Sequence, residues 1–284
     1  MHPLYRHIIH NNTVNWDNYT PLSISGKDLG RVHRNIATEL LHAKLLEQKD
    51  HTLFIADEKA DQDGRTQQLR TILHHLIEKK FIPKERFELY SVASSFKDEP
   101  VALADRALIP FLGFVAYGVH CNGYVKKDGT ISLWVGKRSS DRGTDPGKFD
   151  HMIAGGQPHG LSVQENLAKE AHEEAGVPAK LAALAKPVGC ITYTRALPNS
   201  IRRDALFLFD LKCPNDFTPH NQDGEVENFR LMPASEVLHL ITTTDAFKFN
   251  VNLVLIDFFI RHGIIKSDEA GYSELCAGLH SAHS

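Results

Sequence analysis

Glu170, Glu173 and Glu174 stand in a stretch, Gly155 to Val177, that runs GGQPHGLSVQENLAKEAHEEAGV. On an α-helix, which turns about 100° per residue, acids at i, i+3 and i+4 share one arc of the surface. Like charges so spaced cost roughly 0.2–0.5 kcal/mol per pair on an isolated helix. A cation is the natural offset, and hard divalent ions take carboxylate and phosphate oxygens together. The spacing therefore favours diphosphate chemistry over a solvated acidic face. Glu165 and Lys169 make a favourable i,i+4 pair, but one lysine does not neutralise four acids, and His172 is mostly neutral at pH 7.

The elements that must hold these acids are legible around them. Ser162 and Glu165 form an S-x-x-E capping box at the start of a helix. Gly176 suits a left-handed C′ position, and Pro178 stops any continuation. Val163, Leu167, Ala171 and Ala175 recur every four residues as a buried stripe. The glutamates flank that stripe, so they emerge beside the core, where a cleft can form. Upstream, Gly118–Val125 and Ile131–Lys137 alternate as strands joined through Asp128-Gly129. Downstream, Val188–Thr194, Ala205–Leu211 and Glu225–Leu231 read as strands, Pro233–Ile241 as a short helix and Asn250–Arg261 as an apolar helix ended by Gly263. In the first hundred residues, helical periods run over Ile36–Leu45 and Leu69–Ile77, with strands at His51–Asp57 and Phe87–Val92. The expectation is two domains: a smaller α+β unit over 1–108 and a second α/β unit over 109–284, with helices on both faces of its sheet.

Other groups could join the acids. A diphosphate needs positive charge, and the loop KRSSDRGTDPGKFDH offers Lys137, Arg138, Arg142 and Lys148. Arg138 and Lys148 are the preferred phosphate contacts, arginine by a bidentate grip and lysine as a point charge. Glu225 and Glu227 alternate onto one face of a strand. His120, Asn122 and Tyr124 alternate likewise, and with Tyr193 could line a pocket for the organic half of a substrate. Taken alone, each of these reads more plainly as a satisfied core side chain.

Composition narrows the class. A net charge of −3 over 284 residues gives no general footprint for nucleic acid, and 42% hydrophobic residues are ample for a core. The longest apolar stretch, Ala107–Cys121, is broken by Pro110 and Gly113 and too short to span a bilayer. MHPLYRHIIHNN lacks a cleavable apolar segment. A soluble cytoplasmic protein is expected, with no membrane or nucleic-acid partner and with a homodimer left open. Cys121, Cys190, Cys213 and Cys276 are too scattered for a zinc or redox pattern, and His7–His10 and His74–His75 read as surface pairs.

The stretch 155–177 resembles a Nudix box, G-x5-E-x7-R-E-U-x-E-E-x-G-U, where U is a bulky aliphatic residue. Gly155, Glu170, Glu173, Glu174, Gly176 and Val177 match. Leu161 replaces the first glutamate, Lys169 the arginine, and Ala171 is a small U residue. The resemblance implies the Nudix fold, an α/β/α sandwich with a mixed sheet. It also implies Mg²⁺, with Mn²⁺ as the alternative, held by Glu170, Glu173 and Glu174, and Glu174 or Glu225 as the group that takes a proton from water. GVHCNGYV, PGKFDHMIAGGQPHGLSVQENLAKEAHEEA, DGEVENFRLMP and NLVLIDFFIRHG together are similar to one branch, found fused to thiamine pyrophosphokinase and also free-standing. That branch carries a further domain upstream, and it implies hydrolysis of thiamine diphosphate, or of oxo- and oxythiamine diphosphate, to the monophosphate. A nucleoside- or sugar-diphosphate hydrolase of the same fold, an isopentenyl-diphosphate isomerase and a non-catalytic diphosphate sensor are the alternatives. The histidine set of the isomerase is not traceable, and a sensor has no need of all three acids.

Overall fold

The computed structural model describes residues 1–56, 60–141 and 143–280. A short helix, α1 (Tyr5–Asn12), precedes a hairpin of β1 (Tyr19–Ile24) and β2 (Lys27–His33), turned by Ser25 and Gly26 at positive φ. After α2 (Arg34–His42), a second hairpin of β3 (Leu46–Lys49) and β4 (Thr52–Ile55) places β4 parallel to β1, giving the sheet order β2-β1-β4-β3. The end of the expected strand at Asp57 lies outside the described residues. Asp61 caps the long helix α3 (Gln62–Glu78) by accepting the Gly64 N–H. Leu69, Ile72, Leu73 and Leu76 of α3 pack with Leu22, Ile36, Leu40 and Leu53 into one core. A two-stranded ladder, β5 (Leu89–Val92) with β6 (Ala102–Asp105), and the single turn α4 (Ile109–Leu112) lead out of this unit.

The second unit is built on one sheet. β7 (Val115–Lys127) and β8 (Thr130–Arg138) form the expected hairpin, with Asp128 and Gly129 both at positive φ. Then come β9 (Phe149–Asp150), β10 (Ile153–Gly156) and the acid-bearing helix α5 (Val163–Ala175). The short α6 (Ala179–Ala182) leads to a long hairpin of β11 (Lys186–Leu197) and β12 (Ser200–Lys212). β13 (Val226–Pro233), α7 (Ala234–Thr243), α8 (Val251–Arg261) and α9 (Tyr272–Gly278) complete it. The order is β11-β12-β7-β8-β13, with β10 on β7 and β9 on β8; β12 runs parallel to β7, so the sheet is mixed.

Strand alternation sorts its side chains into two cores. Val119, Cys121, Phe209 and Leu211 pack under Leu167, Ala171 and Ala175 of α5. Leu133, Val135, Tyr193, Leu206 and Leu208 pack with Val237 and Ile241 of α7 and the apolar side chains of α8. Helices thus cover both faces, the α/β/α sandwich expected from the sequence. α1 departs from the expected contiguous division at 108/109: Leu4 and Ile8 belong to the core beneath α8. His7, expected at the surface, is buried and its Nε2 meets the Ile241 carbonyl (2.7 Å), while Asn11 donates to the Phe249 carbonyl (3.1 Å). Cys121 and Cys213 are buried free thiols; Cys190 and Cys276 are only half-buried. Among the described residues no helix is long and apolar enough to cross a membrane.

Candidate active site

The helix carrying the acids is fixed at both ends by local chemistry. Ser162 Oγ accepts the Glu165 N–H and Glu165 Oε2 accepts the Ser162 N–H, the reciprocal capping box. Gly176 closes the helix in the left-handed region (φ 60°). Beyond it the chain returns: the His220 N–H reaches the Ala175 carbonyl (3.1 Å) and the Gln222 N–H the Glu173 carbonyl (3.2 Å). That return carries the chain on to Glu225.

Gly155 is required by proximity. A Cβ there would lie 2.3 Å from Glu170 Cδ, so the strand backbone is pressed against the first acid. Glu174 is 8% exposed, and one of its carboxylate oxygens accepts the Ala154 N–H (2.7 Å). Burial, then the charges of Glu170, Asp150 and Glu225, push the Glu174 carboxyl well above the usual range against that one hydrogen bond. Burial raises Glu170 too, opposed by Lys169. Lys169 Nζ bridges Glu173 (2.7 Å) and Glu170 (3.2 Å). Against its partial burial, these bonds lift the Lys169 ammonium to about 12. Among the described residues no ion pair reaches Glu174. Glu170 and Glu174 are desolvated and mutually repelling, and hard carboxylate oxygens suit a divalent cation, although Glu170, Glu173 and Glu174 do not bring their oxygens within 4.8 Å of one another.

The loop-to-helix bracing uses residues whose role the sequence did not disclose. Asn166, fully buried, donates to the Gly156 carbonyl (2.8 Å), and Gln157 donates to the Leu161 carbonyl (2.9 Å). These bonds tie the glycine turn to α5 where Leu161 and Lys169 replace the charged pair of the family pattern. Asn166, Glu170 and Glu174 recur every four residues, so Asn166 shared the acid arc and could have been read from it.

Several expected site residues lie elsewhere. Arg138 is 8% exposed and points inward: Nη1 donates to Asp150 (2.6 Å) and Nη2 to the Thr144 carbonyl (2.8 Å), which corrects its assignment as a phosphate contact. Lys148 pairs with Asp145 (3.2 Å) and acts electrostatically on His10 of α1. Arg142 lies outside the described residues. His120 and Asn122 occupy the β7 positions opposite in phase to Val119 and Cys121, so they face away from α5. His120 meets His151 (Nδ1 to Nδ1, 2.9 Å) and Asn122 donates to Asp210 (3.1 Å). Tyr193 is fully buried in the core under α8 with its hydroxyl on Asp204. None of the three lines a pocket beside the acids. Glu227 falls at a register shift between Val226 and Asn228, which breaks the expected alternation, and it pairs in solvent with Lys137 (2.8 Å). Glu225 stands just before β13, half-buried, where its charge acts on Glu174.

His120, Asp150 and His151 are the one trio among the described residues whose ligating atoms all lie within 4.8 Å of one another. It is a poor cation cage. Asp150 already holds Arg138 (2.6 Å) and Lys248 (3.3 Å). Burial would raise its carboxyl, but Lys248 and Arg138 outweigh burial and keep it below the usual range. Burial holds His151 down at about 4 and lowers His120 further below its ordinary value, so both imidazoles are neutral.

The first unit supplies the wall facing the acids. A Cβ on Gly156 would lie 1.7 Å from the Tyr90 hydroxyl and 3.4 Å from Arg106 Cζ. Arg106 is paired with Glu88 (2.9 Å). The His159 N–H donates to the Leu89 carbonyl (2.7 Å), and the His159 ring meets Ser91 Oγ (2.9 Å).

Known proteins resemble the two units of the chain. Residues 4–116 match the model of DUF4743, a domain of unknown function, and residues 121–252 match the NUDIX domain. The chain is similar to Nudix hydrolase 20, chloroplastic, of Arabidopsis thaliana, 45% identical over 219 residues, covering 77% of this chain and 59% of that one. It is similar to Nudix hydrolase 24, chloroplastic, of the same plant, at 46% over 219 residues, 77% and 60% covered. The chain thus spans about three-fifths of the length of these relatives. Among solved structures, DR0079 from Deinococcus radiodurans superposes with a TM-score of 0.44 at 18% identity, covering 59% of this chain and 95% of that one. Residues 121–252 are thus similar to a Nudix domain, and residues 4–116 to the DUF4743 domain.

Proposed function

We propose that the chain is a Nudix hydrolase that cleaves a diphosphate bond, with thiamine diphosphate or its oxo and oxythiamine forms as substrate and the monophosphate plus phosphate as products. The observation that carries the hydrolysis is Glu174: a buried carboxylate on the acid helix, beside Glu170, with one backbone hydrogen bond and no cationic partner among the described residues. Such a group costs stability unless a ligand offsets it. The named relatives support the hydrolase class, and the branch-specific stretches quoted above support the thiamine substrate.

Glu170, Glu173 and Glu174 would hold a divalent cation, Mg²⁺ by the hardness of the donors. When bound it supplies positive charge against the diphosphate oxygens and makes water easier to deprotonate. The chain's own work is positional. The capping box and the Asn166 bond set the pitch of α5 against the glycine turn, and Gly155 lets Glu170 lie flat on the strand. Glu174, with its carboxyl pushed up, or Glu225, whose charge acts on it, would take the proton from water. Lys169 and Arg106 replace Arg138 and Lys148 as the cations near the acids.

The test is product formation with Mg²⁺, separated by chromatography, from thiamine diphosphate, oxythiamine diphosphate, ADP-ribose and nucleoside triphosphates, beside Glu174→Gln. Preferential turnover of the thiamine compounds, lost in the variant, is expected. Turnover of nucleotides alone would remove the thiamine substrate and keep the hydrolase. Unchanged turnover in folded Glu174→Gln would remove the mechanism.

A further inference from the structure

The two units meet over a hollow of about 210 Å³, walled by Tyr90, Ser95 and Phe96 from the first and by Tyr117, Gln157 and Leu161 from the second. An apolar void of about 150 Å³ already accepts one benzene ring. Tyr117 and Phe207 share the sheet face of Val119 and Phe209, which is the α5 face. Phe96 reaches across from the first unit to both: its ring lies 4.9 Å from Tyr117 and 4.7 Å from Phe207, and Tyr117 and Phe207 are stacked at 14°. All three rings are half-buried, and Phe96 and Tyr117 wall the hollow. Lys97 stands 5.6 Å over Phe96, and Asp98 and Glu99 complete the rim.

Gln157 is 5% exposed and forms one wall of the hollow, held there by its Nε2, which donates to the Leu161 carbonyl (2.9 Å).

The hollow is also at the right place. Gln157 forms its wall, Gly156 carries the Tyr90 hydroxyl, and Gly155 carries Glu170. Two residues of extended chain, at most about 7 Å, separate the wall from the first acid. A diphosphate at the acids would place an organic group a few bonds away in this hollow.

We infer that the junction hollow binds the ring of the substrate's organic half: a flat heteroaromatic ring packed against the Tyr90, Phe96 and Tyr117 side chains that wall it. The DUF4743 domain is then the part of the chain that selects the substrate, by supplying Phe96 and the Tyr90 wall. The inference rests on the proposed hydrolysis only for the identity of the ligand as a diphosphate, and it can fail separately. Aromatic stacking of a ring is worth about tenfold or more in affinity when one platform side chain is removed.

The experiment is calorimetric titration of the full chain with products that cannot turn over. Thiamine monophosphate and AMP carry rings; isopentenyl monophosphate does not. Wild type is compared with Phe96→Ala, Tyr117→Ala and Ser95→Trp, the last filling the hollow from an exposed loop without touching the core. At least one ring compound is expected to bind, tenfold or more weakly in each variant, with the ringless compound shifted much less. Equal affinities for ring compounds in wild type and Ser95→Trp, or no binding of any ring compound, would overturn the hollow. If ring binding behaves as expected but no diphosphate is hydrolysed, the hollow stands and the proposed activity falls.

Discussion

Two groups of buried charge lie within electrostatic reach of one another, and the fold treats them oppositely. Around Asp150, Arg138 and Lys248 close on a carboxylate while His120 and His151 stay neutral. Around Glu174, the neighbours are further acids, Glu170 and Glu225, and the carboxyl is pushed up instead of down. Burial raises both carboxyls; what differs is whether the chain supplies the counter-charge. A folded protein completes its charges where they are structural. Glu174 lacks that completion, in keeping with the divalent-cation site proposed above.

The same conservative change at the two acids should therefore have opposite consequences. Asp150→Asn strands Arg138 and Lys248 in the interior, and breaking a buried pair this way costs about 3–5 kcal/mol. Glu174→Gln removes a desolvated repulsion, so its urea midpoint should match or exceed that of wild type while phosphate release falls about a hundredfold or more. A loss of stability in both variants would erase the contrast.

Acid titration sharpens it from the other side. His7, His120 and His151 have folded values depressed by burial, the last to about 4. The native state keeps them neutral while the unfolded chain takes protons near 6.5. Their contribution is complete above that point and lost as pH falls towards 4, by at most about 1.4 kcal/mol per pH unit per group. The Asp150 pairing, with its depressed carboxyl, fails only below about 3.8. The raised Glu170 and Glu174 carboxyls gain stability over the same window, so the clean test is the Glu170→Gln/Glu174→Gln double variant, whose urea midpoints should decline steadily between pH 7 and 4; a flat profile there would contradict neutral buried histidines.

Smaller effects probe the acid side alone. Gly155→Ala puts a methyl group into the Glu170 carboxylate, which must move. Turnover should fall about tenfold, as a displacement near 1 Å in a catalytic group does or more. Lys169→Gln removes pairs at a side chain 43% exposed, so thermal denaturation should register less than about 1 kcal/mol.

Helix α5 was legible because its determinants are local: the capping box, the left-handed glycine and the apolar stripe sit within one short stretch. The sandwich followed from alternation in the long strands. Arg138 reads as a phosphate contact by its type and its place at a strand end, but which way it points depends on register with strands far along the chain. The polar tips of His120, Asn122 and Tyr193 follow the plainer reading, satisfied core side chains, with His151, Asp210 and Asp204 as partners, as Arg138 has Asp150. α1 was invisible for a related reason: His7 and Asn11 are buried polar residues, so its inward face has no apolar period. Tyr90, Phe96 and Arg106 could not be connected with the acids at all, because no local rule says which surface of the second unit the first one covers.

The placement of α1 bears on how the chain matures. His7 finds its carbonyl partner 234 residues later, at Ile241. At a ribosomal pace of about 5–20 residues per second, the helix waits on the order of ten to fifty seconds for its berth. Until then Leu4 and Ile8 are solvent-facing grease on a nascent chain whose remaining early residues can already have folded. The core under α8 is thus completed by a helix made more than two hundred residues before its partners, and its closure is a long-range event.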